Sequence, residues 1–272
     1  MPSVTIVGVL NVTPDSYYDG GKFAAHDAAL KQAERLMVEG ADIIEIGGQS
    51  TGPGSVDVSA EEELKRVMPV IESIARSLPS ARLSIDTWQA NVARRAIEAG
   101  VTMVNDVTAG RGDAAMFSTL QDRDVSVVLM YAKDLTARTT VRDERYTSVV
   151  DTIMRFLRER SQAATDAGIA PERLILDPGL GHFVSSDSKY SFEILARLKD
   201  FLDLGHPLLV SPSRKSFLAG REKLSTAERL PGTIAASAIA VLNGASYIRT
   251  HDVGEVRRGC EIAETIRKSV GD

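Results

Sequence analysis

Three polar residues, each placed just after a short apolar run, have the chemistry to read the edge of a heterocycle. Asp86 and Asp177 are carboxylates, which only accept hydrogen bonds when ionised, and Asn105 is an amide, which both accepts and donates. Such a set suits a flat neutral ring system that presents several N–H donors, for example an aminopyrimidinone.

A second group of residues has the chemistry to hold a negatively charged leaving group or a carboxylate. Its cations and hydroxyl groups also follow apolar runs: Lys215, Arg249, His251, Ser213 and Thr51. Asn11 offers an amide oxygen, which suits a hard cation such as Mg²⁺. A heterocycle that carries a pyrophosphate would satisfy both groups.

Each of these residues has a simpler explanation when it is taken alone. Asp86 and Asn105 fit helix caps or Asx turns, and Asp177 fits a plain turn. The functional interpretation is favoured for the set as a whole, because buried strand ends do not leave so many polar groups without partners.

The elements that precede these residues alternate in type. Eight runs of apolar and β-branched residues indicate strands at 4–10, 42–46, 83–85, 102–104, 126–130, 174–176, 208–210 and 247–248. Seven segments with helical periodicity lie at 27–38, 60–77, 89–99, 146–167, 190–202, 227–242 and 253–269. The polar segment 133–144 indicates a long surface loop before the helix at 146–167.

This alternation predicts an α/β fold, namely a single-domain (β/α)8 TIM barrel over residues 1–272. The carboxyl ends of barrel strands meet at one mouth, so the polar residues above would converge there. An open doubly wound sheet is the alternative, because periodicity does not report closure.

Composition argues against several other classes of protein. The 272 residues are 43% hydrophobic and carry 32 Lys and Arg against 37 Asp and Glu, a formal charge of −5. We therefore expect no nucleic-acid partner, and the shortness of the apolar runs argues against a membrane segment. The single cysteine, Cys260, and an N-terminus without a secretion signal indicate a cytoplasmic setting.

Several segments resemble one enzyme family, and the resemblance extends over essentially the whole chain. They are 8–21 (GVLNVTPDSYYDGG), 47–54 (GGQSTGPG), 84–87 (SIDT), 105–107 (NDV), 176–181 (LDPGLG), 213–216 (SRKS) and 249–252 (RTHD). The chain is similar to dihydropteroate synthase. The resemblance implies the condensation of a dihydropterin-methyl pyrophosphate with p-aminobenzoate, which gives dihydropteroate and pyrophosphate in folate biosynthesis.

The resemblance also implies roles for individual residues. The pterin would be held by Asp86, Asn105, Asp177 and Lys215. The pyrophosphate and Mg²⁺ would be handled by Asn11, Arg249 and His251, with Asn11 as the metal ligand. The p-aminobenzoate position would be bordered by Thr51, Pro53, Ser213 and Lys215, under a mobile first loop that carries Tyr17 and Asp19. The groups expected to act in catalysis are Lys215, Arg249, His251 and Asp19, in a homodimer.

The chain departs from the family pattern at three loops. An amide replaces the usual carboxylate at Gln49, and Gly52 replaces the usual arginine of the second loop. The loop at 181–188 replaces a glycine-rich stretch and is about two residues longer. A histidine common after the fifth strand is Tyr131. These changes resemble the acquired, sulfonamide-insensitive branch of the family.

Phe183 in the longer loop is the basis of the sulfonamide prediction. Sulfonamides share the aminophenyl ring of p-aminobenzoate but carry a bulkier group where the substrate has a planar carboxylate. We expect Phe183 to border p-aminobenzoate and to narrow the space beyond its carboxylate, which excludes the inhibitor. The simpler explanation is a surface loop that touches no ligand.

Two other functions are open at this point. A folate-dependent methyltransferase domain shares a pterin-binding barrel, but its substrate has no pyrophosphate for Arg249 and His251 to neutralise. A non-catalytic pterin-binding paralogue fits the glycine at position 52, although Asn11 and Lys215 are both present.

Overall fold

The strands of the molecule belong to one parallel sheet. The computed structural model describes residues 3–12, 21–56 and 58–269. The strands are β1 (Thr5–Asn11), β2 (Ile43–Gly47), β3 (Leu83–Asp86), β4 (Met103–Asp106), β5 (Ser126–Met130), β6 (Leu174–Asp177), β7 (Leu209–Val210) and β8 (Tyr247–Thr250). Each run that the sequence predicts as a strand overlaps one of them.

The sheet closes on itself to form a barrel. Neighbouring strands pair in parallel in the order β6-β5-β4-β3-β2-β1-β8-β7. The two ends of this order meet at a parallel bridge between Leu176 and Leu208, next to a 2.9 Å hydrogen bond from the Leu176 N–H to the Pro207 carbonyl. The predicted (β/α)8 barrel is confirmed, and the open doubly wound alternative is wrong.

Helices follow the strands and cover the outside of the barrel. They are α1 (Gly21–Val38), α2 (Ala60–Ser77), α3 (Ala90–Glu98), α4 (Met116–Leu120), α5 (Val149–Asp166), α6 (Ser188–Ala196), α7 (Leu230–Leu242) and α8 (Val253–Ser269). The seven helical segments predicted from sequence are present. The short helix α4 was not predicted, because its 5 residues are too few to show a helical period.

Capping residues explain where several helices begin. The Ser148 side chain accepts a hydrogen bond from the Asp151 N–H, so α5 begins at Val149 rather than at 146. Ser225 and Glu228 cap a 3₁₀ turn reciprocally, and α7 starts only after that turn. The segment predicted as one helix at 190–202 is α6 followed by a separate 3₁₀ helix, Leu198–Leu204.

Alternation of side chains along the strands divides the barrel interior into two layers. The lower layer is an apolar cluster of Val7, Ile43, Met103, Val128, Ile175 and Leu209. Side chains two residues apart share a face of a strand. The next inward positions toward the mouth therefore include Glu45 on β2, Asn105 on β4, Asp177 on β6 and, above Tyr247, Arg249 on β8. The register places Asp86 directly beside Asn105.

Two sequence predictions concern properties of the whole chain. Among the described residues, no helix is both long enough and apolar enough to cross a bilayer. Cys260 on α8 is buried, and this burial raises the pKa of its thiol to about 12. The cytoplasmic setting stays a prediction.

Candidate active site at the mouth of the barrel

The residues predicted to bind the heterocycle come together at the carboxyl ends of the strands. Asp86 and Asp177 end β3 and β6, Asn105 lies near the end of β4, and Lys215 follows β7. Only 3% of Asn105 and 2% of Asp177 are exposed. With two neighbours they form what we call the polar layer: Glu45, Asp86, Asn105, Asp177, Lys215 and Arg249.

Arg249 links two carboxylates of the polar layer. Its Nε donates to Glu45, and its Nη2 donates to Asp86 Oδ2 over 2.8 Å. Burial disfavours the guanidinium charge, but Glu45 and Asp86 together raise the pKa of Arg249 above its ordinary value. Burial raises the pKa of Asp86 to about 7, against the effect of Arg249. The guanidinium is therefore a permanent cation held in one orientation.

Glu45 is a site residue that the sequence analysis missed. It is 0% exposed and lies between three donors, of which Ser84 Oγ and Asn105 Nδ2 are each 3.2 Å from Glu45 Oε2. The available signal was a carboxylate inside the otherwise apolar run that became β2. A charge at the centre of such a strand needs buried partners, and Arg249 provides one.

Two acceptors of the polar layer have the geometry to receive N–H groups. Asn105 Oδ1 is buried and has no hydrogen-bond partner among the described residues. A buried acceptor in that state costs about 1–3 kcal/mol until a donor reaches it. Asp177 Oδ1 accepts from the Gly179 N–H over 2.7 Å. Burial raises the pKa of Asp177, and the positive charge of Lys215 opposes that rise.

Lys215 is a cation with a lowered proton affinity. Burial lowers the pKa of its ammonium group to about 8, and Asp177 limits the effect. Its Nζ lies 5.2 Å from the centre of the Phe183 ring. Lys215 thus connects the polar layer to the loop at 181–188.

His251, Ser213 and Asn11 form a hydrogen-bonded group at the other side of the mouth. Ser213 Oγ lies 2.9 Å from His251 Nδ1, and Asn11 Nδ2 lies 3.5 Å from His251 Nε2. Desolvation of the ring and the nearby charge of Arg249 lower the pKa of His251. His251 is therefore a neutral imidazole near pH 7 and not one of the cations that the sequence analysis assumed.

The loops around the mouth are joined by Lys133, a second residue that the sequence analysis did not select. Its ammonium group donates to Thr139 Oγ1 (3.0 Å) and to the carbonyls of Thr140 (2.8 Å) and His182 (2.5 Å). Its side chain is only 1% exposed. No local signal marked this contact, because Lys133 and His182 are far apart in the sequence.

The segment 133–144 is more than the surface loop that the sequence predicts. The Thr139 N–H donates to the Thr51 carbonyl over 3.1 Å, and the Lys133 N–H donates to the Phe183 carbonyl over 2.9 Å. Its side chains fill space between loops that follow different strands, which is why Thr139 is only 4% exposed. We call residues 51–53, 133–140 and 181–183 the loop rim.

Phe183 is anchored within the loop rim. It packs on an apolar cluster of Val107, Met130, Ala132 and Ala137, together with Trp88. This packing fixes the ring within the protein, and the contact of Phe183 with p-aminobenzoate stays a prediction. Pro53, by contrast, is exposed in a turn that a 3.2 Å bond from the Ser55 N–H to the Gly52 carbonyl closes.

Three further residues were singled out by the sequence analysis, and the structure describes one of them. Tyr17 and Asp19 lie outside the described residues. Tyr131, which stands where the family pattern has histidine, has its hydroxyl 3.1 Å from the Tyr146 hydroxyl, and Tyr146 donates in turn to the Val184 carbonyl (2.8 Å). Tyr131 therefore supports the loop at 181–188.

Asp106, the residue after Asn105, serves as a turn residue. Its carboxylate accepts from Thr108 N–H (2.8 Å), Thr108 Oγ1 (2.7 Å) and Gly110 N–H (2.7 Å). These bonds fix the loop after β4, and they leave Asp106 out of the polar layer.

A metal site built from the protein alone is not present in the part of the chain that the structure describes. No group of three or more His, Cys, Asp or Glu side chains there is arranged to hold an ion. Asn11 is exposed at the end of β1 and offers one hard oxygen ligand. Mg²⁺ commonly takes one or two protein ligands and completes its shell with phosphate oxygens and water. Asn11 fits that pattern, and Mg²⁺ stays a prediction.

Comparison with known proteins places this geometry among enzymes of one kind. Residues 7–251 match the family model described as pterin binding enzyme. A dihydropteroate synthase from Clostridium beijerinckii is 37% identical over 96% of this chain and 93% of its own. A dihydropteroate synthase from Clostridium difficile, solved with pteroic acid, superposes with a TM-score of 0.90 at 38% identity over 97% of both chains. The Xanthomonas albilineans enzyme, solved with 4-aminobenzoic acid, gives 0.88 at 36% identity over 99% of this chain and 94% of its own.

Proposed function

The chain belongs to the dihydropteroate synthase family of pterin-binding transferases, and from this membership we propose that it condenses a dihydropterin-methyl pyrophosphate with p-aminobenzoate. The products are dihydropteroate and pyrophosphate. The observation that supports this most is the polar layer, which contains a buried acceptor without a partner among the described residues, Asn105 Oδ1, and a cation, Arg249, that Glu45 and Asp86 hold in place. The similarity to named synthases also favours this reaction over a methyltransferase or a non-catalytic paralogue.

The pterin binds in the polar layer in this proposal. Asp86, Asn105 and Asp177 accept hydrogen bonds from the N–H groups of its aminopyrimidinone edge. Lys215, about 5 Å from the Phe183 ring, donates to an acceptor of the same ring system. The pteroic acid bound by the Clostridium difficile relative supports a pterin here.

The pyrophosphate leaves from the side of the mouth that holds Arg249, His251 and Asn11. Negative charge on the leaving group rises as the C–O bond breaks, so a cation that is already oriented stabilises the transition state more than the bound substrate. His251 acts as a neutral hydrogen-bonding group. Mg²⁺, held by Asn11 and the phosphate oxygens, would supply further positive charge.

The p-aminobenzoate lies under the loop rim, bordered by Thr51, Pro53, Ser213, Phe183 and Lys215, with Tyr17 and Asp19 on the first loop. Its amine nitrogen forms a bond to the methylene carbon of the pterin. The C–O bond breaks, its electron pair leaves with the pyrophosphate, and the amine loses one proton to solvent. A neutral aromatic amine needs little activation, so placement of the two substrates dominates. The relative solved with 4-aminobenzoic acid supports this class of substrate.

A direct assay tests this function. Purified protein with both substrates and Mg²⁺ should form dihydropteroate, and omission of Mg²⁺ should reduce the rate. The matched inactive control is Arg249→Met. A wild-type protein that binds a dihydropterin but forms no product would support the non-catalytic paralogue instead.

We further propose that the enzyme is insensitive to sulfonamides because Phe183 closes the space beyond the p-aminobenzoate carboxylate. The packing of Phe183 at the mouth and the ties from Lys133 to the same loop support a fixed ring at this position. A rigid aromatic side chain excludes the bulky sulfonyl substituent and leaves the flat carboxylate free. A misfit of a few kcal/mol separates the two affinities by a factor of about 100 or more.

The sulfonamide proposal is tested by Phe183→Ala. We expect the inhibition constant of a sulfonamide to fall by at least about tenfold, while KM for p-aminobenzoate changes by less than about threefold. Phe192→Ala, on exposed Phe192 of α6, is the matched control. Equally tight inhibition of wild type and Phe183→Ala would refute the proposal.

We also propose that two copies of the chain associate through α7 and α8, which would make the enzyme the expected homodimer. Ile239 on α7 and Ile262 and Ile266 on α8 are 46%, 63% and 48% exposed. The two helices pack against each other, so these side chains can share one apolar surface. Sedimentation of wild type and Ile262→Glu tests this; a wild-type monomer would contradict it.

A further inference from the structure

Glu45 is the one member of the polar layer to which the proposed function gives no contact with either substrate. It lies at the centre of β2, is 0% exposed, and faces the interior one step above the apolar layer. A carboxylate in such a place is retained only when several donors surround it.

The donors around Glu45 come from three other strands. Arg249 Nε on β8 and Ser84 Oγ on β3 donate to it, and Asn105 Nδ2 on β4 donates over 3.2 Å. All three need an acceptor, and an ionised carboxylate is the side chain that only accepts. We propose that Glu45 is a positioning residue that fixes the donor and acceptor pattern presented to the pterin, an inference that rests on the proposed function.

The first consequence concerns the amide of Asn105. The oxygen and the nitrogen of an amide have nearly the same shape, so only their partners decide which one faces a ligand. Because Nδ2 is directed to Glu45, Oδ1 is directed away from it, and Oδ1 is the buried atom without a partner. Glu45 thereby makes Asn105 an acceptor that selects N–H donors on the heterocycle.

The second consequence concerns the guanidinium of Arg249. Glu45 holds Nε, and Asp86 holds Nη2 over 2.8 Å. Two bonds in the plane of the group fix that plane, which a single bond to Asp86 would leave free to rotate. Glu45 therefore sets the direction from which Arg249 meets the pyrophosphate.

The test replaces Glu45 by the side chain of the same shape that also donates. In Glu45→Gln the Gln amide can accept from one neighbour while it donates toward the other, so Asn105 is free to turn its nitrogen to the ligand. We expect the Kd for a dihydropterin, measured by calorimetry, to rise about 10–100-fold, with a fall in kcat and a change of less than about twofold in KM for p-aminobenzoate. Glu45→Asp keeps the charge with a shorter reach and should recover part of the affinity.

Ser84→Ala is the matched control, since it removes a hydroxyl group that donates to Glu45 and forms no side-chain hydrogen bond with Asn105 or Arg249. We expect it to lower the melting temperature and to leave both substrate constants unchanged. If Glu45→Gln does not fold, Glu45→Asp provides the test. Its KM for the dihydropterin pyrophosphate should then rise more than its KM for p-aminobenzoate.

The outcomes separate the two levels of inference. A wild-type protein that binds no dihydropterin would overturn the proposed function itself. If the wild-type protein binds a dihydropterin and Glu45→Gln binds it with the same affinity, only the positioning role is overturned. The positioning role would also be overturned if Glu45→Gln and Ser84→Ala both lost affinity equally for the dihydropterin and for p-aminobenzoate. Such a result would indicate a general loss of structure.

Discussion

The polar layer and the loop rim hold their side chains by different means. All side chains of the polar layer except that of Lys215 stand on paired strands, where the register fixes the height of Asp86 beside Asn105 before any side-chain contact forms. The loop rim has no ladder of this kind. Its segments are joined by a few hydrogen bonds: the Lys133 ammonium group and the Thr139 hydroxyl both donate to the His182 carbonyl, and the backbone N–H groups of Lys133 and Thr139 donate to the carbonyls of Phe183 and Thr51.

This difference separates two kinds of specificity. Strand-borne groups such as Asn105 and Asp177 are rigid because moving them would disturb the sheet, so they suit a substrate that must be read atom by atom. Loop-borne groups such as Phe183 can change with little effect on the fold. A barrel of this design can keep its pterin chemistry while the discrimination at the rim changes.

The largest effect is expected from Arg249→Met, which breaks the polar layer at its centre. The buried Glu45 and the partly buried Asp86 would lose their shared cation, and the leaving group would lose its oriented charge. We expect kcat/KM to fall by about 10³-fold or more, chiefly through kcat. Steady-state kinetics measure this. Arg249→Lys, which keeps the charge without the two-carboxylate contact, should lose less, and a rise in KM for p-aminobenzoate alone would mean that Arg249 serves the other anion.

The next largest effect is expected from Asp177→Asn. The new amide would present a donor to a donor on the pterin and would remove the counter-charge of Lys215. Calorimetric titration with a dihydropterin should show an affinity loss of about 1–3 kcal/mol, or roughly 5–150-fold. An unchanged affinity would remove Asp177 from the pterin site.

The pH dependence of activity and of stability tests the role of Lys215 in the polar layer. The pKa of its ammonium group is about 8 in the folded protein against 10.5 as its ordinary value. We expect kcat/KM to decline as the pH rises above about 8, where the free enzyme loses this cation. Between pH 8 and 10.5 the unfolded chain binds more protons at this group, so its contribution to the free energy of unfolding increases with pH. Lys215→Met should lack that increase, and urea titrations of both proteins at several pH values would show it.

A smaller and more local effect is expected from Lys133→Met at the loop rim. The variant removes the hydrogen bonds from the Lys133 ammonium group to Thr139 and His182 but leaves every strand in place. KM for p-aminobenzoate should rise about threefold to tenfold, and the dihydropterin affinity should change by less than about twofold. Faster amide exchange confined to 133–140 and 181–183 would accompany it. An equal loss of affinity for both substrates would show that the loop rim and the polar layer are not independent.

The smallest effect on binding is expected from Asp106→Asn, next in sequence to Asn105. Asp106 serves only its own turn, so the variant should lower the free energy of unfolding by about 1–2 kcal/mol without changing dihydropterin affinity. Thermal denaturation and calorimetry on the same sample test this. A large affinity loss would extend the polar layer beyond the residues assigned to it.

Much of the fold and of the polar layer could be predicted from sequence, because both depend on local alternation. Apolar runs that end in Asp86, Asn105 and Asp177 marked the strands and their functional ends together. Glu45 was missed because it lies inside the run 42–46, which is mostly apolar and is interpreted as a buried strand.

The rest depends on contacts between distant segments. Nothing near Lys133 in the sequence indicates that it meets His182, or that Thr139 meets Thr51. The lowered pKa of His251 follows first from burial of its ring among segments that are distant in the sequence and then from the charge of Arg249, and residue type alone does not reveal this burial.

The burial of Cys260 makes the chain convenient for labelling chemistry. Burial shields this thiol and raises its pKa, so we expect it to react only slowly with maleimides or iodoacetamides near neutral pH. As the sequence holds only this cysteine, a second one introduced on the surface would be the sole reactive thiol without any background substitution. Leu135 on the loop rim is 77% exposed, so a fluorophore attached to Leu135→Cys would report movements of the rim in the otherwise native protein.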